Sequence, residues 1–460
     1  MKVKNMRKII ANIIRNVSLV IFMAVFLLYG CSNLNTGEDD REMGTITINL
    51  GGRASLARAT GGMGQVTLYI SFYSDKAENI ENSGPYYFGQ NAIISVPPAD
   101  DWTIVVRAAL NGVPYATGSS VGFVEVIAGA ETPVTIQMEV DLYDYIAGAM
   151  DLGDNPIPLP LAFVLDNSKW ADILNELQIL DTFRVDLDLS LCGRSDEISG
   201  SGLSSEGVFD PRGGNFIGKG NIISLILPNE AEIIPDGTSS QATFRDFSSL
   251  VSLITGDELT YIGDNAFSNL NLTSVILGKN LETIGEDAFL YNDLVEIAIP
   301  ASVKSIGDYA FYGNSLNIVS FLGDTVETIG SYAFYGNNLE EIAIPSGVTI
   351  GESAFSNNDL MTRVEIGANC IIERSAFSNN DLMTRVEIGT NCIIEIFAFI
   401  NCPLLESITI GADIEFESET NPGNDSFDNG FDDFYIGGGR EAGIYTWDGT
   451  QLQWNHEPLP

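Results

Sequence analysis

Chemistry that depends on histidine has almost nothing to work with in this sequence. The one histidine in 460 residues, His456, stands close to the C-terminus. Ser-His-Asp and Cys-His nucleophilic sets, and metal sites built on imidazole, are therefore not expected. Carboxylates are plentiful, 62 Asp and Glu in all, and two of them suffice to hydrolyse a glycosidic bond. None stands out from its surroundings, so a carboxylate-dependent glycan hydrolase stays a minor alternative and the chain is expected not to be an enzyme. Gly437-Gly438-Gly439 lacks the Lys-Ser/Thr of a phosphate loop. In the acidic, Asn-rich segment NPGNDSFDNGFDD, Asp425, Asp428 and Asp432 offer oxygen ligands of the kind calcium takes. Their spacing matches no EF-hand or RTX loop, and an exposed loop is the plainer reading, so no cofactor is expected. Cys192, Cys370, Cys392 and Cys402 form no CxxC pair or Cys/His cluster, which argues against zinc.

The fifth cysteine, Cys31, closes a different pattern. Lys2, Lys4, Arg7, Lys8 and Arg15 precede a short apolar run from Val17 to Leu28, and Leu28-Tyr29-Gly30-Cys31 follows. The arrangement is that of a secretory leader. It resembles the lipobox of bacterial lipoproteins, with Gly30 at the small position and Tyr29 bulkier than the family's usual residue. The resemblance implies cleavage of residues 1–30, acylation of Cys31 and a lipid tether to a bacterial cell envelope, at the outer membrane or cell surface. The alternative, a plain transmembrane anchor, asks for about 20 apolar residues.

Stepping outward along the chain, residues 31–44 are a polar acidic spacer. Residues 45–140 hold short β-branched runs (TITINL, QVTLYISFY, AIISV, TIVVRAAL, GFVEVI, PVTIQMEV) separated by Gly, Pro, Asn and Asp. That spacing predicts an antiparallel β-sandwich of six or seven strands, and PPADDWTIVV within it resembles small Ig-like or prealbumin-like modules. Residues 141–160, with DLGDNPIPLP, read as a Pro-rich linker. In 161–220, KWADILNELQIL has helical spacing and Val185, Leu187 and Leu189 alternate as a strand, as an N-terminal cap would. The formal charge of −40 repels phosphate backbones, so nucleic acid is not an expected partner.

From 221 to 415 the chain repeats itself. Ala-Phe pairs end at Phe267, Phe289, Phe311, Phe334, Phe355, Phe377 and Phe399, a period in the low twenties that belongs to leucine-rich repeats. Five residues after each Phe stands Leu272, Leu294, Leu316, Leu339, Leu360, Leu382 or Leu404, read as an inward row. Val275/Leu277, Ile297/Ile299, Val319/Phe321, Ile342/Ile344, Val364/Ile366, Val386/Ile388 and Ile408/Ile410 form the inner side of a strand. Three residues after Phe come Asn292, Asn314, Asn337, Asn358, Asn380 and Cys402, which suits a buried ladder of amides serving turn carbonyls. Cys370 and Cys392 fall at the same place in neighbouring rungs, within disulfide reach, although two free thiols packed as small core groups are the simpler outcome. Residues 416–460 are expected to cap the array through Phe434, Tyr435, Tyr445, Trp447 and Trp454.

Segments such as DLVEIAIPASVKSIGDYAF and NLEEIAIPSGVTIGESAF carry Leu-x-x-Ile-x-Ile-Pro, a turn, then Val-x-x-Ile-Gly-x-x-Ala-Phe. They resemble the BspA-like leucine-rich repeats of bacterial surface antigens. The resemblance implies a right-handed solenoid with surface display, so that with the sandwich read from strand spacing the chain is expected to be mainly β. It also implies a protein ligand, in host matrix or on another bacterial surface, and brings no catalytic residues. The last three rungs depart from the pattern by one residue inserted before the strand and by Gly for Pro. Residues 354–373 and 376–395 differ only at Ala368 and Thr390, the mark of a tandem duplication.

Strand positions turned away from the core have no packing duty. Ser274, Ile276, Glu296, Ile318, Ser320, Glu341, Arg363, Glu365, Arg385, Glu387, Ser407 and Thr409 are therefore the expected ligand-binding surface. The alternatives are an ordinary solvated face with Arg and Glu paired locally, or a structural or polysaccharide-binding envelope protein whose sandwich does the binding.

Overall fold

The computed structural model describes nine strands between 44 and 140 without most of their connecting segments. It then describes 142–459, apart from 153–154, 162–163, 179, 181, 215, 417–424, 429–430, 440 and 449–452. The leader, Cys31 and most of the spacer lie outside the described residues.

The strands up to 140 form two sheets. Gly44–Asn49 lies between Asn91–Val96 and Glu131–Thr135, and Val66–Tyr73 lies between Ile80–Tyr86 and the long strand Ala99–Leu110. Most pairings are antiparallel, as expected, but Gly44–Asn49 runs parallel to Glu131–Thr135.

The stretch read as a linker is largely structured. Helix α1 (Leu142–Leu152) occupies it, and Ile157–Pro160 is the first strand of the solenoid's sheet, parallel to Val185–Asp188. The prolines misled the reading: on an edge strand they need give no outward hydrogen bond. Tyr145 of α1 buries its ring and donates its hydroxyl to the Pro158 carbonyl at 2.6 Å. Helix α2 (Asn167–Leu177) begins where Asp166 accepts the Lys169 N–H, and buries Trp170, Ile173, Leu174 and Leu177. The short helix α3 (Phe216–Gly220) follows, with Lys219 buried and its ammonium given to the Arg212 carbonyl at 2.8 Å.

Each rung from Ile222 onward contributes two strands. The longer one joins a sheet that forms one wall; the shorter, of two residues, joins an unbroken ladder running from Ile233–Ile234 to Glu415–Phe416. The wall comes in three pieces, parted after Ser274–Ile276 and after Ile318–Phe321. The second break falls where the repeat takes one extra residue.

The interior is organised by side chains in file. Phe244, Phe267, Phe289, Phe311, Phe334, Phe355, Phe377, Phe399 and Phe427 stack, with centroids 4.3–5.3 Å apart from Phe244 to Phe399 and 4.5 Å at the last step. Such contacts add about 0.5–1.5 kcal/mol each beyond area burial. The amide file runs alongside. Asn292 Nδ2 donates to the Phe267 and Phe289 carbonyls while its Oδ1 accepts from Leu272 N–H, and Asn337 and Asn358 repeat the pattern. Cys402 closes the file with its thiol against the Phe377 carbonyl at 3.5 Å; burial pushes that thiol up to about 12.

One inward row is shifted. Leu272, Leu294, Leu316 and Leu339 are buried, but Leu360, Leu382 and Leu404 are exposed, and Met361, Met383 and Leu405 take the inner place. The inserted residue in these rungs moves the next side chain inward.

Both ends of the array are closed. At the C-terminal end Ser407–Ile410 pairs antiparallel with Gly443–Asp448, which pairs with Gln453–Pro458. Helix α4 (Phe431–Gly437) packs Phe431 and Tyr435 against Phe427, Phe416, Tyr445 and Trp454. Phe434, expected in this core, is exposed.

Candidate binding surface

Alternation along a strand sends successive side chains to opposite faces, and the wall strands obey it. Glu296–Ile299 and Glu341–Ile344 alternate exposed and buried residues without exception. Parallel pairing then puts equivalent outward residues side by side. Glu341, Arg363, Arg385 and Ser407 form one file, and Ala343, Glu365, Glu387 and Thr409 the next. Glu296 pairs with Ile318 and Ala298 with Ser320 in the preceding piece. The structure thus brings the predicted residues onto one face, in register within each piece.

The face has two characters. Its first part is apolar in places: Ile276 is 57% exposed and Ile318 52%, flanked by exposed Val295 and Leu322. The later part is a charge lattice. Arg363 bonds Glu365 and also Glu387 at 2.7 Å, and Arg385 reaches Glu387 at 2.9 Å. The hydrogen bond to Glu387 holds the Arg363 guanidinium further up than usual. Exposed pairs of this type contribute about 0–1 kcal/mol each, so a partner can exchange them at small cost. Ser407 and Thr409 are half-buried beside the cap strand, and the Thr409 hydroxyl is enclosed without a hydrogen-bond partner among the described residues. It offers no free group to a ligand.

Two of the three aspartates considered for calcium have carboxylates with other work. Asp428 accepts the Cys402 N–H at 2.8 Å, and Asp432, fully buried, accepts those of Ser426 and Phe427. These bonds carry the Phe file one step past the last repeat. Asp425 is raised by burial first and by Asp433 second, with its backbone carbonyl taking the Phe397 N–H. Among the described residues no group of three His, Cys, Asp or Glu is placed to hold a metal ion.

Cys370 and Cys392 are buried free thiols. Each turns its sulfur to a carbonyl, Pro345 and Gly367 respectively, and Cys370 N–H points at the Cys392 sulfur at 3.4 Å. The Cys392 thiol is pushed up by its hydrogen bond with Cys370 and by burial. Neither is presented to a reactant.

Two surface features escaped the sequence reading. The exposed leucines Leu360, Leu382 and Leu404 line up beside the charge lattice. Five tyrosines gather at the Phe corner of the solenoid, signalled in the sequence by GDYAFYGN and GSYAFYGN.

Residues 214–323 and 320–420 match the family model described as BspA type Leucine rich repeat region, in six copies. Solved structures similar to the chain include a leucine-rich repeat protein from Bacteroides ovatus, 17% identical over 58% of this chain and 71% of that one, TM-score 0.35. The pneumococcal vaccine antigen PcpA is 16% identical over 66% of this chain and 83% of its own, TM-score 0.27. A leucine rich cell surface protein from Faecalibacterium prausnitzii is 16% identical over 59% of this chain and 82% of that one, TM-score 0.23. No curated protein matches the chain.

Proposed function

Residues 214–420 are a BspA-type leucine-rich-repeat region, and on that premise we propose that the protein works by binding. Its wall face engages a protein ligand, in host matrix or on another bacterial surface, while Cys31 tethers it to the cell envelope through lipid. The supporting observation is the set of outward residues from Ser274 to Arg385, which point away from the core and stand in register within each piece of the wall. The apolar positions Ile276 and Ile318 supply area to bury, and the Arg363–Glu387–Arg385 lattice supplies charges that can be re-paired. Few such residues carry most of an interface's energy.

A non-catalytic role is part of this reading. The most buried carboxylates among the described residues, Asp188 and Asp432, are engaged by N–H groups of nearby turns.

The test is surface plasmon resonance against immobilised matrix proteins and fixed bacterial cells. Replacing Ile318, Glu341, Arg363 and Arg385 together by Ala should weaken capture at least tenfold. Unchanged capture would remove this face from the reading. For the tether, Cys31→Ser should move the protein from the membrane to the soluble fraction, and retention in the membrane would refute lipidation. Proteolysis of intact cells should reach the repeats; protection would argue for a periplasmic role.

A further inference from the structure

Each of the seven rungs from Phe267 to Phe399 crosses the left-handed region twice at its Phe corner, two residues before the Phe and two after it. Most rungs fill the earlier place with Asn, Asp or Ser. Two consecutive rungs use Tyr309 (φ 54°) and Tyr332 (φ 57°), and Tyr291 (φ 50°) fills the later place one rung before. A bulky side chain in that region is an outlier, and it persists only where its surroundings hold it there.

What holds these residues is one another. Tyr309 stacks on Tyr332 at 5.0 Å with planes 2° apart, and Tyr312 on Tyr335 at 4.9 Å and 3°. The two stacks lean together at 50–52°, and Tyr291 closes one end edge-on to Tyr312 at 5.4 Å. The Tyr291 ring lies over Gly313, where an added Cβ would fall 2.7 Å from it, and beyond Gly336 the space is open. The result is an aromatic corner two rungs deep, with the Tyr291 ring 53% exposed and the other four rings half-exposed.

The same column shows what such a ring accepts. Farther along, Phe397 occupies the place of Tyr309 and Tyr332, also left-handed at 63°, and the Arg374 guanidinium sits 5.3 Å from its ring centre. Arg374 stands three residues before the Phe of the preceding rung. The corresponding residues for Tyr309 and Tyr332 are Glu286 and Asp308, carboxylates in place of the cation. Asp287 is adjacent, and its carboxyl is pushed up by burial and then by Glu286, Asp264 and Asp308. The ion pairs recorded among the described residues of this region lie elsewhere, on Asp257, Glu282, Glu365 and Glu387. Asp308 Oδ1 accepts the Ser331 N–H at 2.7 Å, a bond that leaves its negative charge and second oxygen in place. Electron-rich rings near carboxylates without an ion pair among the described residues are complementary to a cation, and the −40 charge of the chain attracts one from a distance.

We infer that the tyrosine corner docks a guanidinium or ammonium side chain of a basic protein partner, held by the ring faces and by Glu286 and Asp308. This surface lies on a different edge of the rung from the wall face and stands without it.

The probe is a peptide of alternating Arg and Gly, with a citrulline counterpart of the same shape and no charge. The variant is Tyr309→Ser, Tyr312→Ser, Tyr332→Ser and Tyr335→Ser together, which copies Ser353, Ser356, Ser375 and Ser378 of the following rungs and leaves the net charge alone. Titration calorimetry should show the arginine peptide binding the full chain at least tenfold more tightly than it binds the variant, and tenfold more tightly than the citrulline peptide binds. Equal affinity of variant and parent would reduce the binding to the general acidic field and overturn the inference. So would an equal citrulline affinity, no arginine-peptide binding at all, or preferential retention of a neutral glucan oligosaccharide. Should circular dichroism show the fourfold variant unfolded, Glu286→Gln with Asp308→Asn is compared with Glu340→Gln and Asp359→Asn, the same charge change at exposed sites elsewhere. A greater loss for the first pair supports the site; equal losses refute it.

Discussion

Replacing Asn358 by alanine tests the amide file at its best-connected member. Asn358 is fully buried, and its Nδ2 donates to the Phe334 carbonyl at 3.1 Å and to the Phe355 carbonyl at 3.0 Å. Its Oδ1 accepts the Leu339 N–H at 3.3 Å. The two carbonyls keep other donors, Asn337 and Asn380, so each loses one bond of two. Leu339 N–H has no second acceptor among the described residues and is stranded inside the solenoid. A stranded buried donor costs about 2 kcal/mol and each lost bond about 1 kcal/mol, giving about 4 kcal/mol in all. Urea denaturation followed by aromatic fluorescence and circular dichroism measures it. Asn338→Ala serves as control, because Asn338 is exposed, and it should change stability by less than about 0.5 kcal/mol. Rungs couple chiefly to their neighbours, so the variant should also begin to unfold around rungs 337–380, visible as early loss of amide protection there. A loss below about 1 kcal/mol for Asn358→Ala would show that the file is ornamental and would refute this reasoning.

Phe355→Ala removes a ring stacked at 5.1 Å on both Phe334 and Phe377 and should cost about 3–5 kcal/mol in the same assay; a loss under 2 would contradict the stack's role. Gly313→Ala meets both a left-handed backbone (φ 64°) and the Tyr291 ring, whereas Gly336→Ala (φ 66°) meets open space. The first should therefore be worse by about 1 kcal/mol, and equal losses would refute the placement of Tyr291. Cys402→Asn gives the file a sixth amide, able to donate to the Phe377 and Phe399 carbonyls, and should raise stability by about 1 kcal/mol. Asp186, Asp188 and Asp287 are raised in the folded chain, each by burial first. The folded state then binds more protons than the unfolded one between the ordinary value of 3.8 and the raised values, so these groups make stability grow as pH falls from neutral into that window. Thermal melts should show this gain, and Asp188→Asn, which removes one titrating group, should shrink it; a gain unchanged in that variant would exclude Asp188 as a source.

Most of the solenoid was legible because its constraints repeat. A ring at every Ala-Phe, an amide three residues later and strict alternation on the wall strands each leave a period in the sequence, and the structure places all three as read. Where a single residue breaks the period, reading by offset failed. Leu360, Leu382 and Leu404 hold the expected offset, yet one inserted residue hands the inner place to Met361, Met383 and Leu405. Residues 141–160 misled for a different reason. Prolines signal a break in backbone donation, and an edge strand tolerates that as well as a loop does. The segment holding Asp425, Asp428 and Asp432 reads as an exposed loop, yet the N–H groups of Cys402, Ser426 and Phe427 tie Asp428 and Asp432 into the cap, partners that spacing does not reveal. The outward wall residues follow from alternation; the tyrosine corner does not, because YAFY at 309–312 and 332–335 gains its stacked geometry from left-handed turns that strand alternation does not describe.

The two ends of the wall sheet bear on more than the stability of one molecule. A stack of identical parallel strands behaves as a one-dimensional crystal, whose last layer is always a template for the next. Here neither outermost strand belongs to the repeat. At one end Ile157–Pro160 presents an edge with two prolines, and at the other Gly443–Asp448 lies against the final rung with its direction reversed. The reversed strand separates the last rung from the edge, which Gln453–Pro458 then forms, so the repeat's own wall strand is not the outermost one at that end. Duplication can lengthen the middle by whole layers, as 354–373 and 376–395 record, while these two end groups stay the same whatever the number of layers between them.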